Sequence, residues 1–264
     1  MAKVGIAGDW HGSTKHAIKS IRTFQRLGVD TIYHLGDFGF GWNKSFEDQV
    51  NEVLEELDMV IYVTPGNHEN YDYLETLWDD PIVTGVRRAR SAIKVFPRGH
   101  RWQVGETKFV SLGGAASVDR KWRKRNVSWW EQEYTTEADV ARTIAGGEAD
   151  VMLCHDLPQG VPIKLGPESD WPAEDIKRSN LNRLMLRQAV DFVHPKLLMH
   201  GHYHRFNDET VTFYEESNVT ETYTTRHVGL DMEGTAMNLA ILDTDTLELE
   251  FIDYWTGLET SWEN

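Results

Sequence analysis

Lys-Val-Gly-Ile-Ala-Gly-Asp-Trp-His, residues 3–11, is a short apolar run that ends in a carboxylate and an imidazole. The arrangement recurs at residues 31–37, Thr-Ile-Tyr-His-Leu-Gly-Asp, and at residues 59–69, Met-Val-Ile-Tyr-Val-Thr-Pro-Gly-Asn-His-Glu. Apolar runs of this length, bounded by turn residues, are typical of buried strands. The sequence therefore predicts three strands, each followed directly by polar side chains.

Two amphipathic stretches separate these strands. Residues 13–27, and the residues from Ser45 onward, carry apolar side chains at helical spacing. Ser13 or Thr14 is predicted as the N-cap of the first helix, and Ser45 with Asp48 as a capping box in the second. Strand–helix–strand repeats predict a largely parallel sheet with right-handed crossovers.

The remaining two thirds of the chain is richer in short strands. The patterns predict strands at 93–96, 101–104, 107–112, Val151–Cys154 and Lys196–Met199, helices at Thr136–Ala145 and Asn180–Val193, and β-rich segments from Phe206 to Tyr254. Residues 158–172, which hold four prolines and two glycines, are predicted to form a long loop. We expect a single domain over residues 1–264.

The composition restricts the classes of partner. The chain has 264 residues with 27 Lys+Arg against 42 Asp+Glu, a formal charge of −15, which argues against broad binding to nucleic acid or anionic lipid. The single cysteine, Cys154, excludes an internal disulfide framework. No N-terminal signal pattern and no apolar run near the ~20 residues of a membrane span is present, which predicts a cytoplasmic protein, bacterial or from a phage-infected cell.

The charge is unevenly distributed. Residues 86–125 hold twelve Lys and Arg and two acids, so this basic segment carries +10 and the rest of the chain −25. The segment is either a solvated loop region or a surface beside a phosphate-binding site.

Five predicted strands end in residues that can bind metals. These residues are Asp9 and His11, Asp37, Asn67 and His68, His155, and His202 and His204. The carboxyl ends of parallel strands line one crevice, so these residues can converge although they are far apart in sequence. A mixed oxygen and nitrogen ligand set suits manganese, iron, zinc or cobalt better than a thiolate-type zinc site.

The order Asp9-X-His11, Gly36-Asp37, Gly66-Asn67-His68-Glu69, His155 and Gly201-His202-X-His204 resembles the signature of the calcineurin-like metallophosphoesterases. The resemblance implies an α/β fold, a four-layer αββα sandwich of two mixed β-sheets flanked by helices. It also implies two divalent or trivalent transition-metal ions, manganese first, with iron, zinc, cobalt or nickel as alternatives.

The same resemblance implies a role for each residue. Asp9, His11 and His204 would bind one metal, and Asn67, His155 and His202 the other. Asp37 would bridge the two metals, and a hydroxide held between them would attack phosphorus. His68 would act as a general acid or orient the phosphate.

The sequence departs from the family pattern at Phe40. Many relatives have an acidic residue three positions after the bridging aspartate, where it supports the catalytic histidine, and here the run reads Asp37-Phe-Gly-Phe40-Gly-Trp42. A weaker acid matters most for poor leaving groups, so activated or cyclic esters are favoured. The aromatic run itself is either packing or a platform for a nucleobase.

We therefore expect a metal-dependent phosphoesterase that prefers phosphodiesters, with cyclic nucleotides among the candidates. A phosphomonoesterase acting on phosphoproteins or small molecules, a nuclease, and a non-catalytic binding protein on the same fold are the alternatives. Arg120, Arg123 and Arg125 of the basic segment are the candidates for contacting the substrate phosphate, because guanidinium groups bind phosphate oxygens in pairs. The substrate is expected to be a phosphoester, including nucleotides, with no membrane partner; the sequence leaves the oligomeric state open.

Overall fold

The computed structural model describes residues 2–78, 85–162, 171–215 and 218–257. In its first part β1 (Lys3–Ala7), α1 (Thr14–Arg26), β2 (Thr31–His34), α2 (Lys44–Glu56), β3 (Val60–Val63) and α3 (Tyr71–Trp78) follow one another. The middle contains β4 (Arg87–Arg88), β5 (Ile93–Val95), β6 (His100–Val104), β7 (Thr107–Leu112), α4 (Glu137–Ile144) and β8 (Val151–Cys154). The last part contains α5 (Ala173–Val193), β9 (Leu197–His200), β10 (Asn207–Glu215), β11 (Asn218–Gly229), β12 (Leu239–Asp243) and β13 (Leu249–Ile252).

The strands form two mixed sheets. The first has the order β13-β12-β1-β2-β3-β5-β4, in which β1, β2, β3 and β5 are parallel. The second has the order β10-β11-β9-β8-β7-β6, in which β7, β8, β9 and β11 are parallel. The edge strands β4 and β6 are antiparallel to their neighbours, and β4 was not predicted from the sequence.

Three separate apolar clusters hold four layers together. The alternation along β8 shows why: Val151 and Leu153 belong to the cluster between the sheets, whereas Met152 and Cys154 belong to the cluster under α4 and α5. Successive side chains of a strand point to opposite faces, so a strand that is apolar at every position is buried on both sides. A third cluster packs α1 and α2 against the first sheet. The predicted αββα sandwich is confirmed.

Local details differ from the sequence-based expectation. Helix α2 is capped by Asn43, whose side chain accepts from the backbone N–H of Ser45, so the predicted Ser45–Asp48 capping box is wrong. Ser13 occupies the N-cap position of α1 but its side chain makes no capping hydrogen bond. Helix α5 begins at Ala173, about two turns before the predicted Asn180. Helix α3 was not predicted from the sequence. Of the predicted loop 158–172, residues 163–170 lie outside the described part of the chain.

The described part of the chain has no helix that combines the length and the apolarity needed to cross a lipid bilayer.

Candidate metal centre

The loops after β1, β2, β3, β8 and β9 bring the predicted ligands to one edge of the sandwich. Both sheets contribute, because each has parallel strands whose carboxyl ends face the same crevice. This edge therefore collects side chains that are up to 195 positions apart, from Asp9 to His204.

One group consists of Asp9, His11, Asp37 and His204. Each offers a ligand atom that lies within 4.8 Å of those of the other three. His11 Nε2 is 3.4 Å from Asp37 Oδ2, and His204 Nε2 is 3.3 Å from Asp9 Oδ2. The four residues are those expected around the first metal together with the bridging carboxylate.

Asn67, His155 and His202 lie beside this group. His155 Nε2 is 2.9 Å from Asn67 Oδ1 and 3.3 Å from Asp37 Oδ1. The rings of His155 and His202 are 5.0 Å apart, and Asn67 and His202 both line the cavity that opens onto Asp37. All seven predicted ligands are thus in one place, with Asp37 between the two groups.

The backbone is bent sharply at four of these residues. His11, Asp37, His202 and His204 have φ between 42° and 70°, the left-handed region that residues with a Cβ rarely adopt. Such conformations cluster at functional sites, where the surrounding structure maintains them. At Gly201 a different constraint operates, since a Cβ there would lie 2.0 Å from Asp9 Oδ1. Glycine lets the loop after β9 approach the carboxylate.

Two of the histidines are oriented by a hydrogen-bond partner at Nδ1, on the side of the ring away from the candidate ligand atom. His11 Nδ1 lies 2.7 Å from Glu233 Oε2, and His155 Nδ1 lies 2.7 Å from the carbonyl oxygen of Leu35. An imidazole that donates from Nδ1 to such a group presents Nε2 as the ligand atom. In both residues Nε2 is the atom near Asp37.

A buried chain of hydrogen bonds orients Asn67. Its Nδ2 donates to Ser117 Oγ at 2.9 Å, and that hydroxyl donates to Glu133 Oε2 at 2.6 Å. The backbone N–H of Ser117 donates to the other oxygen of Glu133. Because the amide nitrogen of Asn67 is engaged, its oxygen faces His155 and the centre.

Glu69 holds the loop that carries Asp37. This fully buried carboxylate accepts the backbone N–H groups of Phe38, Gly39 and Phe40 at 2.9–3.0 Å, and that of Gly66 at 3.3 Å. Burial raises the pKa of Glu69, and the backbone donors oppose that shift.

The electrostatics of the centre favour bound positive charge. Burial disfavours a charged Asp37, but His155, His68 and His11 lower its pKa well below the usual range. Burial likewise opposes protonation of His11 and His155, yet Asp37 and the other carboxylates raise their pKa values to about 11 and about 9. Asp37 Oδ2 is buried and accepts no hydrogen bond in the described residues. An anionic pocket with an unused carboxylate oxygen and oriented imidazoles fits divalent metal ions.

His68 lies at the rim of the centre against Arg123. Nη2 of Arg123 is 2.6 Å from Nδ1 and 2.5 Å from Nε2 of the His68 ring. Arg123 is itself held by Asp119, 2.7 Å from its Nε, and by the carbonyl of Ser128. Burial, followed by the charge of Arg123, lowers the pKa of His68 to about 4, against a partial opposing effect of Asp37.

The other two candidate arginines lie elsewhere. Arg120 is bound to the buried Asp175 at 2.6 Å, and Arg125 forms an exposed pair with Glu131. The basic segment is therefore not one surface, and of the three candidates only Arg123 contacts a predicted site residue within the described part of the chain.

A cavity of about 550 Å³ leads to the centre. Asp37, Asn67, His68, His202 and His204 line its floor. The wall beside them is mixed and consists of Val118, Asp119, Trp171, Ile176, Ser179, Asn180, Arg183 and Tyr203. Val118, Trp171 and Ile176 are its apolar part. The cavity can hold a phosphate on the floor and an organic group against the wall.

The aromatic run after Asp37 divides between two roles. Phe38 and Phe40 are fully buried in the cluster under α1 and α2, so position 40 has no access to His68 for an acidic group. Trp42 is 45% exposed and its ring lies 5.9 Å from that of His68. Cys154 is buried away from the crevice, as its place before His155 in the strand predicted.

The residues that orient the predicted ligands were not identified from the sequence. Glu69, Ser117 and Glu133 stood in or near the motifs without an assigned role, and Glu233 had no signal, because its partner is 222 positions away. Glu69, which ends the run Gly66-Asn67-His68-Glu69, was the one of these residues whose place in a motif could have indicated a structural role.

Comparisons with known proteins agree with this geometry. A family model described as calcineurin-like phosphoesterase matches residues 2–206. The structure of TT1561 from Thermus thermophilus is similar with a TM-score of 0.56 at 13% identity, covering 96% of this chain and 99% of that one. A dimetal phosphatase from Danio rerio is similar with a TM-score of 0.51 at 13% identity over 91% of both chains. No curated protein matches the sequence. At such identities the two structures show a shared fold, while the family model spans most of the chain.

Proposed function

This chain belongs to the calcineurin-like phosphoesterase family and is a metal-dependent phosphoesterase, and from that premise we propose that it hydrolyses phosphodiesters at a two-metal centre. The observation that carries the proposal is the group Asp9, His11, Asp37 and His204, with Asn67 and His155 directly beside it. The αββα sandwich of the similar structures supports it.

Asp9, His11 and His204 would hold the first ion, Asn67, His155 and His202 would hold the second, and Asp37 lies where its carboxylate could serve both. Manganese is the metal we propose, since the donors are carboxylate and amide oxygens with imidazole nitrogens. When bound, two such ions would supply an activated water as the nucleophile and positive charge for an in-line displacement at phosphorus.

Within this site His68 orients the phosphate. Arg123 contacts the edge of the His68 ring. An acidic residue at this position would favour the protonated form of His68, whereas the cationic Arg123 favours the neutral form. A neutral imidazole carries no extra proton for a leaving group, but it can hold a phosphate oxygen by a hydrogen bond. Nη1 of Arg123 keeps one N–H beyond its bond to Ser128 within the described residues. Because Asp119 holds the guanidinium group, this donor is fixed in advance, which is the arrangement that stabilises charge developing on a phosphate oxygen.

The preference for diesters follows from the cavity and from the weak acid. A diester has two organic groups, and the wall formed by Val118, Trp171 and Ile176 provides an apolar surface for one of them. Without a strong proton donor at His68, esters with a good or strained leaving group react fastest. In a cyclic nucleotide one nucleoside is esterified twice to the same phosphate, so its base can lie against this wall and its leaving oxygen belongs to a strained ring. Cyclic nucleotides are our first candidates.

The test compares bis-aryl with mono-aryl phosphate, using protein loaded with Mn²⁺. We expect a higher kcat/KM for the bis-aryl ester, loss of both activities in Asp37→Ala, and full metal content in His68→Ala. A higher kcat/KM for the mono-aryl ester would establish the phosphomonoesterase alternative. Less than one bound metal ion per chain would refute the two-metal centre. A panel of cyclic and linear nucleotides, phosphoproteins and plasmid DNA then identifies the substrate class and tests the nuclease alternative.

A further inference from the structure

A second cavity lies at the open edge of the sandwich, between β4 and β5 of the first sheet and β6 of the second. Its volume is about 500 Å³, and it shares no lining residue with the cavity at the metal centre within the described part of the chain. Thr31, the first residue of β2, lines this second cavity, whereas Asp37 of the metal centre follows the end of the same strand. The two cavities are therefore separate.

The lining of this edge cavity is basic and aromatic. Among the described residues it contains no carboxylate, although the chain as a whole carries −15. The lining residues are Thr31, Tyr33, Tyr62, Val86, Arg88, Lys94, Phe96, His100, Arg101, Trp102, Gln103 and Val104.

Two cations line this cavity without a carboxylate partner among the described residues. Arg88 and Lys94 are opposite each other in the β4–β5 register. Lys94 Nζ donates to the carbonyl oxygen of Ser91 at 2.5 Å, which leaves its charge without a carboxylate partner within the part of the chain that the structure describes. The charge of Arg88 adds to burial in lowering the pKa of Lys94, and no acidic group opposes the shift. Other arginines of the basic segment are paired, for example Arg90 with Glu47 and Asp48. Two adjacent uncompensated cations attract an anion.

The aromatic side of the cavity is rigid. The Phe96 ring is stacked on Trp102 at 4.2 Å and on Tyr62 at 5.3 Å, with interplanar angles of 20° and 13°. Trp102 Nε1 also donates to the hydroxyl of Tyr33 at 2.9 Å. Trp102 and Tyr62 remain partly exposed at the cavity surface. Trp102 also stacks on Phe109 at 5.2 Å with an interplanar angle of 17°. The exposed parts of Tyr62 and Trp102 are therefore the surfaces against which another aromatic ring can pack.

We propose that the edge cavity is a nucleotide-binding site distinct from the metal centre. Arg88 and Lys94 bind the phosphate, and the base packs against Tyr62 and Trp102. A cavity of 500 Å³ is in the range of small-molecule sites and accommodates one nucleotide.

The test uses AMP as the probe and the Mn²⁺-loaded full chain. Hydrogen–deuterium exchange should show protection by AMP in peptides covering residues 86–104, apart from any protection around the metal centre. Arg88→Glu with Lys94→Glu should raise the AMP concentration needed for that protection about tenfold or more, while hydrolysis of the bis-aryl ester stays unchanged. Lys15→Glu, an exposed lysine on α1, is the matched control and should behave as the wild type.

Adenosine and inorganic phosphate should each protect residues 86–104 less than AMP, because each satisfies only half of the site. If charge reversal disturbs folding, the milder Arg88→Gln with Lys94→Gln variant should give the same loss and a weaker dependence on salt. Absence of protection in the wild type at millimolar AMP, or equal protection in the wild type and both variants, would overturn the proposal.

Discussion

Replacing Ser117 with alanine removes one hydroxyl and leaves two buried polar groups without a partner. Asn67 Nδ2 loses its acceptor at 2.9 Å, and Glu133 Oε2 loses its donor at 2.6 Å. All three side chains are 1% exposed or less, so water does not replace the hydroxyl without rearrangement. Ser117→Ala therefore tests whether the buried chain from Glu133 to Asn67 orients a metal ligand.

The substitution should lower both the free energy of unfolding and the affinity for metal. Each unsatisfied buried group costs about 1–3 kcal/mol, so the loss of two partners should lower the free energy of unfolding by about 2–6 kcal/mol. At about 2–4 °C per kcal/mol for a chain of this size, Tm should fall by about 4–24 °C. The amide of Asn67 is then free to rotate, and loss of such an outer partner lowers metal affinity by about 10–100-fold.

The assay is calorimetric titration of metal-free protein with Mn²⁺, together with thermal unfolding. Ser111→Ala is the matched control, because its hydroxyl is equally buried and bonded to Thr64 at 2.9 Å, outside the metal centre. Both variants should be destabilised, and only Ser117→Ala should bind metal more weakly. Unchanged Mn²⁺ affinity in Ser117→Ala, with the stability loss present, would refute the orienting role of the chain.

Three further predictions concern single side chains. Arg123→Gln should lower kcat/KM about 100-fold without loss of bound metal, whereas Arg125→Gln, the control, should leave kcat/KM unchanged. Equal kcat/KM values for the two variants would mean that Arg123 does not act on the substrate. Glu69→Gln should lower the free energy of unfolding by about 3 kcal/mol, measured in urea, since one amide oxygen replaces two carboxylate oxygens that accept four backbone N–H groups. Burial raises the pKa of Glu133 from 4.5 to about 7, so the folded state binds a proton that the unfolded state releases. The contribution of this group to the free energy of unfolding is fully present below pH 4.5 and falls by about 3 kcal/mol as the pH rises from 4.5 through 7. Urea unfolding at several pH values should show this decline in the wild type and not in Glu133→Gln.

Much of the fold was predictable because its signals are local. The apolar runs at β1, β2 and β3 and the helical spacing in α1 show their period within a few residues. The errors were also local: at α2 the cap moved two residues, to Asn43, since several polar side chains compete to accept the first free N–H groups. Strand order and the pairing of β11 with β9 depend on contacts between distant segments, which no local pattern specifies.

The sequence by itself predicted which side chains would meet at the candidate metal centre. Asp9, His11, Asp37, Asn67 and the histidines were identifiable because a strand followed by polar residues has a recognisable pattern. Only the tertiary structure decided how those atoms are held and charged. The pairing of His11 with Glu233, of Asn67 with Ser117 and of His68 with Arg123 spans 50 to 222 positions. Hydrogen bonds and pKa shifts depend on distances of a few ångströms, and such distances between remote residues exist only once the two sheets have packed.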